Sequence, residues 1–232
     1  MDNGKETKNK KKRPDVSGIF LGVAAALFFI CFSVTAVLNC KAVYRRDLDA
    51  YALDKASGVP KEAILEDYDR LIRYNNLGGP DKLEFRHFAM SETGRTHFEE
   101  VRTVFRAFET GLILFGLFSL AGIFLCLRKR EDRPDPPLLT AFRTAGVLLT
   151  ALPAALGLAA ALAWDRFFVL FHEVVFDNDY WIFDETTDPI IKVLPDAFFY
   201  HEALLIAALI LLPGAAFLIA AHAVKTRAAR KA

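Results

Sequence analysis

Four long apolar runs alternate with charged segments along the chain, at approximately residues 17–38, 110–127, 145–164 and 203–224. Each is long enough to cross a hydrocarbon layer about 30 Å thick, which takes roughly 20 helical residues at a rise of about 1.5 Å. No water satisfies the backbone inside a bilayer, and nothing in the pattern indicates the short alternating strands of a barrel. The pattern therefore predicts an all-α integral membrane protein with four transmembrane helices.

The segments between the spans predict two mainly helical elaborations, residues 41–109 and 165–202. In the first, we expect the opening helix to continue through Leu48 and a second helix to begin at Pro60, a favoured first helical position. Ser91 should cap a helix that continues into the second span. In the second, residues 177–184 are acidic and aromatic without a helical period, and Pro195 should begin the helix of the fourth span.

The distribution of charge predicts the topology. The chain is 53% hydrophobic yet 25% charged, so the two classes of residue must be segregated. Short loops rich in Lys and Arg stay in the cytoplasm. We therefore expect a multi-pass protein of the cell membrane with both termini cytoplasmic and both elaborations on the outer face. The basic residues that carry this prediction are Lys5, Lys8, Lys10, Lys11, Lys12, Arg13, Arg128, Lys129, Arg130, Arg133, Lys225, Arg227, Arg230 and Lys231.

The expected organisation is one membrane domain, residues 16–224, between basic tails at 1–15 and 225–232. A cleaved signal peptide is the competing interpretation of the first run, but the run is too long and no A-x-A-like cleavage site follows. Cys31 and Cys126 fall in or near spans, which leaves Cys40 without an outer partner. No disulfide framework is therefore predicted.

Two histidines stand out among the five. His97 shares a helical face with Val101 and Phe105, and His172 lies within a second apolar helical stripe. An apolar setting keeps imidazole neutral and basic near pH 7, as a general base requires. The arginines of the same predicted helix, Arg102 and Arg106, lie on another face and are expected to meet solvent or lipid headgroups.

The competing interpretation of these histidines is a zinc site completed by Asp177, Asp179 or Asp184. The H-x-x-x-H and H-E-x-x-H spacings are absent, so no metal site is predicted. A G-x-S-x-G motif and phosphate-binding glycine loops are absent as well. If the protein is an enzyme, the substrate must supply the nucleophile, and we predict neither a cofactor nor a nucleic-acid partner.

Two stretches resemble the lipoprotein intramolecular transacylase (Lit) family of Gram-positive bacteria. They are FHEVVFDNDYWIFDETTDPIIKVLPDAFF at residues 171–199 and MSETGRTHFEEV at 90–101. The resemblance extends to the four-span layout and to DYDRLIRYNN at 67–76. It implies a membrane acyltransferase whose substrate is a diacylglyceryl lipoprotein embedded in membrane lipid. Such an enzyme moves the sn-2 acyl chain to the α-amino group of the lipoprotein's N-terminal cysteine, giving the lyso form.

The same resemblance places catalysis at His97 and His172. One imidazole would take the proton of the attacking amine, and the other would protonate the glycerol oxygen or support the oxyanion. The residues that could orient an imidazole or complete the site are Asp177, Asn178, Asp179, Trp181 and Asp184.

Two other classes of function remain open from sequence. A non-catalytic scaffold or sensor would bind a partner through its acidic outer loops. A small transporter is less well supported, because the spans contain no buried charge and no paired broken helices. The oligomeric state is left open.

Overall fold

The computed structural model describes residues 16–128 and 137–229, and its secondary structure there is helical, without a β-strand. This confirms the all-α prediction. Some of the basic residues on which the topology prediction depends lie outside the described residues. They are those of residues 1–15 and Lys129, Arg130, Arg133, Arg230 and Lys231. In chain order the helices of the described residues are α1 (Val16–Leu38), α2 (Lys41–Ala50), α3 (Leu53–Ser57), α4 (Lys61–Asn75), α5 (Glu92–Arg128), α6 (Pro137–Leu162), α7 (Trp164–Val175) and α8 (Asp196–Ala229). A short 3-10 helix (Pro189–Val193) lies between α7 and α8.

Four of these helices, α1, α5, α6 and α8, are long and apolar enough to cross a membrane, as predicted. Helix α5 has 37 residues and is therefore about 55 Å long, whereas the hydrocarbon layer is about 30 Å thick. Its apolar run begins only at Thr110. The first half of α5, with His97, consequently stands outside the membrane.

The membrane bundle is organised around α1, which packs against α5, α6 and α8, while α6 packs along α8. Gly18 and Gly22 bring α1 close to α6. A Cβ at Gly18 would lie 2.4 Å from the carbonyl oxygen of Pro137, and one at Gly22 would lie 2.7 Å from that of Ala141. Small residues four apart allow this backbone approach between membrane helices.

The extramembrane region, defined as residues 39–109 and 163–202, has an aromatic core of its own. Tyr44 is fully buried, stacks on Tyr68 at 3.7 Å and meets the edge of Phe198 at 5.3 Å. Its hydroxyl donates a hydrogen bond to the carbonyl of Val193 at 2.9 Å. Because Tyr44 belongs to the first elaboration and Val193 to the second, this core joins the two.

Replacing Tyr44 by phenylalanine should lower the free energy of unfolding by about 1 kcal/mol, because the buried carbonyl of Val193 loses its donor. The matched control is Tyr51→Phe, since the Tyr51 side chain is exposed. Denaturant titration of the purified protein, followed by tryptophan fluorescence, measures both. Equal stability of the two variants would contradict the contribution assigned to the Tyr44 hydroxyl.

The continuation of the first helix through Leu48 was predicted wrongly. Helix α1 ends at Leu38, and α2 begins at Lys41. At the break, the Asn39 amide donates to the carbonyl of Thr35 (2.9 Å) and forms a reciprocal pair with the Asn76 amide (2.8 and 3.2 Å). Such side-chain bonds compete with helix continuation, and the Asn76 partner is invisible to local periodicity.

The predicted starts of three other helices agree with the structure to within a residue. Pro60 directly precedes α4 instead of opening it, and Pro195 directly precedes α8. The Ser91 cap is confirmed, since its hydroxyl oxygen accepts the backbone N–H of Gly94 at 2.9 Å.

The prediction that Arg102 and Arg106 face solvent or headgroups was wrong. The Arg102 guanidinium lies 4.7 Å from the centre of the Tyr74 ring and donates to the carbonyl of Asp81 at 3.0 Å. Arg106 donates to the carbonyls of Tyr74 and Gly79 at 3.3 and 3.2 Å. Both arginines thus hold the end of α4 and the following loop against α5, through contacts that helical spacing alone does not reveal.

Candidate active site

His97 and His172 face each other in the extramembrane region, with their ring centroids 6.1 Å apart. His97 lies in the second turn of α5, just after the Ser91 cap, and His172 lies in the last turn of α7. Their exposed fractions are only 6% and 9%. Two helices from different elaborations therefore bring both imidazoles into one buried site.

Aromatic side chains enclose the pair. The His97 ring meets Phe176 at 4.9 Å and Phe183 at 5.5 Å, each edge to face. The Trp181 ring stacks on His172 at 4.6 Å. This enclosure removes water from both imidazoles and strengthens any charge interaction within the site.

Burial determines the protonation of the pair. Burial, with a smaller contribution from the neighbouring His172, lowers the pKa of His97 from its ordinary value of 6.5 to about 4. Burial also lowers the pKa of His172, although the hydrogen bond to the Phe168 carbonyl opposes this shift. Both imidazoles are therefore neutral at pH 7 and each has a nitrogen that can accept a proton.

A backbone carbonyl fixes the tautomer of His172. Nδ1 of His172 lies 2.7 Å from the carbonyl oxygen of Phe168, one turn earlier in α7. A carbonyl oxygen only accepts, so Nδ1 carries the hydrogen and Nε2 keeps its lone pair. Nε2 of His172 is therefore an acceptor towards the site.

The other imidazole faces a carboxylate. Nδ1 of His97 lies 4.0 Å from Oε2 of Glu100, and both atoms are buried without a hydrogen-bond partner. Oε1 of Glu100 accepts a hydrogen bond from the Asn178 amide at 2.7 Å. The Asn178 side-chain oxygen in turn accepts the backbone N–H of Tyr180 at 3.0 Å.

The structure divides the residues that the sequence offered as supporting candidates. Trp181 stacks on His172, and Asn178 bonds to Glu100 beside His97. The side chains of Asp177, Asp179 and Asp184 are exposed. Asp184 bonds to the backbone N–H and hydroxyl of Thr186, at 2.8 and 2.7 Å. Sequence reasoning missed Glu100, although its spacing of three residues from His97 was the available signal.

The remaining histidines lie elsewhere. His87 is exposed beside Glu66 at 3.3 Å, and Nδ1 of His201 lies 2.8 Å from Oδ2 of Asp47. His222 is exposed near the far end of α8. Across residues 16–128 and 137–229, His, Cys, Asp and Glu side chains form no group of three or more suited to a metal ion.

A multi-pass helical bundle with two enclosed, neutral imidazoles at one end has the layout of a membrane enzyme equipped for acid–base chemistry. The chain belongs to the lipoprotein intramolecular transacylase Lit family, whose model matches residues 19–199. It is therefore a membrane acyltransferase that acts on lipoproteins. Membership of an enzyme family favours this function over the scaffold or transporter that the sequence had left open.

Solved structures agree with the family assignment. The integral membrane lipoprotein intramolecular transacylase Lit from Bacillus cereus is 26% identical and has a TM-score of 0.80, with 93% of this chain and 95% of that chain covered. Two structures of that protein with a histidine replaced, one by arginine and one by alanine, each have a TM-score of 0.73. No curated protein matches the sequence.

Proposed function

We propose that this transacylase moves the sn-2 acyl chain of a diacylglyceryl lipoprotein to the α-amino group of the lipoprotein's own N-terminal cysteine. The product is the lyso form with an N-acyl group. The observation that carries the proposal is the pairing of His97 with His172, 6.1 Å apart and both buried. Neutral imidazoles are the side chains best suited to moving a proton near pH 7.

The reaction balances without water or a cofactor. The amine nitrogen attacks the ester carbonyl carbon, an amide C–N bond forms, and the C–O bond to the sn-2 glycerol oxygen breaks. One proton leaves the nitrogen and ends on that oxygen, and His97 and His172 together accept and return it. Because amine and ester belong to one molecule, holding them together replaces a bimolecular encounter, and no covalent enzyme intermediate is required.

The aromatic enclosure suits this choice of nucleophile. Water in the site would compete with the amine and release a free fatty acid. Phe176, Phe183 and Trp181 occupy the space around the imidazoles, so a bound lipopeptide would present its amine to the ester in a dry site.

Helix α7 supports a site at the membrane surface. Leu170, Phe171 and Val174 are exposed, the last by 77%, while His172 on the same helix is buried. An amphipathic helix with an exposed apolar face is suited to the boundary between headgroups and acyl chains. In this arrangement the substrate's acyl chains stay in membrane lipid while its ester reaches the histidines.

The proposed orientation places the histidine site on the outer face and both termini in the cytoplasm, around one membrane domain of residues 16–224. Arg128 at the end of α5 and Lys225 near the end of α8 lie at the opposite end of the bundle from His97. Basic residues beside membrane spans favour the cytoplasmic side.

A defined lipopeptide tests the proposal. It carries acyl chains of different length at sn-1 and sn-2 and is incubated with the purified protein in lipid bilayers. Because the transfer is an isomerisation, the intact mass stays constant, and fragmentation should place the sn-2 chain on the cysteine nitrogen. A mixture with a second lipopeptide, heavier in both peptide and acyl chains, should give no crossed products.

Three results would overturn the proposal. They are loss of a fatty acid, exchange of chains between the two lipopeptides, and unchanged substrate with folded wild-type protein. The double variant His97→Ala with His172→Ala serves as the blank for spontaneous transfer.

A further inference from the structure

We propose that Glu100 is a positioning residue that holds His97 as the proton acceptor of the acyl transfer. This inference rests on the proposed function and adds to it a role for a third side chain. It also separates the roles of the two histidines. Glu100 acts through His97 and need not touch the substrate.

The first support is a pair of unsatisfied buried atoms that face each other. Nδ1 of His97 and Oε2 of Glu100 are 4.0 Å apart, and both are buried without a hydrogen-bond partner. Leaving a buried polar atom unpaired is unfavourable. A movement of about 1 Å brings the two atoms to hydrogen-bond distance, and contacts of this kind often tighten when the substrate binds.

The second support is that a hydrogen bond fixes the orientation of the Glu100 carboxylate. The Asn178 amide donates to Oε1 of Glu100 at 2.7 Å, and the Asn178 side-chain oxygen is itself held by the backbone N–H of Tyr180. One carboxylate oxygen is thereby occupied, and the other is left towards His97. A carboxylate that served only surface solvation would not need an amide from 78 residues away.

The chemical consequence concerns the His97 tautomer. A carboxylate beside Nδ1 keeps the hydrogen on that nitrogen, so Nε2 presents its lone pair to the substrate amine. When Nε2 takes the proton, the imidazolium gains a negative partner within a few ångströms. His172 has a neutral carbonyl as its Nδ1 partner, so it gains less from becoming charged. The difference assigns proton acceptance to His97.

The titratable groups that face the His97 ring are His172 from α7 and Glu100 from its own helix. The other close neighbours are the apolar rings of Phe176 and Phe183. Removing the charge of Glu100 therefore removes the nearby negative charge that stabilises protonated His97.

The kinetic test compares Glu100→Gln and Glu100→Ala with Glu99→Gln. Glu99 is the adjacent residue of α5 and is exposed, which makes it a matched control. We expect kcat to fall about 10-fold to 100-fold in both Glu100 variants while KM stays within about twofold, and Glu99→Gln to retain wild-type kinetics. Asn178→Ala, which releases Oε1, should cause a smaller fall in kcat.

The spectroscopic test uses protein labelled with ¹⁵N only in histidine. Wild-type His97 and His172 should both show the tautomer with hydrogen on Nδ1. In Glu100→Ala, His97 should change to the tautomer with hydrogen on Nε2 and protonate at lower pH, while His172 keeps its signal as an internal reference. A purely structural role of Glu100 would disturb both histidines or neither.

The outcomes separate this inference from the proposed function. If His97→Ala and His172→Ala abolish transfer but Glu100→Gln keeps kcat and the His97 tautomer unchanged, the positioning role is overturned and the proposed function stands. If the histidine variants keep full activity, the proposed function fails first. A fall in kcat with an unchanged His97 tautomer also overturns the role assigned to Glu100.

Discussion

Replacing His97 or His172 by alanine should reduce the rate of acyl transfer by about 10²-fold to 10⁴-fold, the range expected when a positioned acid–base group is lost. Both imidazoles are buried and neutral, and the site is closed to water that could take over their role. The double variant should be little slower than either single variant, because groups that act as a unit are not additive. Initial rates come from the N-acyl fragment of the product.

The same experiment needs variants that separate chemistry from packing. His172 stacks on Trp181 at 4.6 Å, so alanine also opens a cavity. His172→Gln keeps much of the volume but has no nitrogen that accepts a proton, and it should be as inactive as the alanine variant. His222→Ala, exposed and remote from the site, should retain full activity. Substantial transfer by His172→Gln would remove His172 from the mechanism.

Hydrophobic patterning was enough to predict the four spans and the all-α fold. Their lengths follow from bilayer thickness, a constraint that acts on each segment separately. The long α5 was also predictable, because the Ser91 cap and the apolar run at 110–127 lie on one uninterrupted helical pattern. These features depend only on local sequence.

Contacts between distant segments could not be predicted in the same way. The Asn39 and Asn76 amides pair across 37 residues and break the first helix. The bond from Asn178 to Glu100 spans 78 residues. The first depends on how the end of α4 packs against the end of α1, and the second on how one elaboration packs against the other. No helical period encodes either contact. The family resemblance supplied His97 and His172, and the structure was needed to bring Glu100 to them.

The acidic stretch at 177–188 shows that local sequence also fails to predict which carboxylates are buried. The sequence suggested that the clustered carboxylates of Asp177, Asp179 and Asp184 could orient an imidazole. In the structure their side chains are exposed. Asp188 was not among the candidate residues, yet only 2% of its surface is exposed. Burial of a carboxylate is decided by its partners, and those of Asp188 include the start of α5.

Asp188 ties the second elaboration to the helix that carries His97. Its Oδ1 accepts the backbone N–H of Ser91 at 2.7 Å, and its Oδ2 accepts the Thr187 hydroxyl at 2.8 Å. A Cβ on Gly94 would come within 2.3 Å of Oδ1, so the carboxylate is packed tightly against the first turn of α5. Its negative charge also lies at a helix N-terminus, where the helix dipole favours it.

Replacing Asp188 by alanine should therefore lower the free energy of unfolding by about 2–4 kcal/mol, because Ser91 loses a buried acceptor and α5 loses a favourable charge. Asp188→Asn keeps an acceptor oxygen and should recover part of this loss. The matched control is Asp184→Ala, four residues earlier in the same loop, where an exposed carboxylate should matter by about 0.5 kcal/mol or less. Denaturant titration measures the free energy of unfolding of all three variants. Acyl-transfer rates report whether Phe183 still packs against His97. Equal stability of Asp188→Ala and Asp184→Ala would show that the two elaborations are held together by their aromatic core and not by this carboxylate.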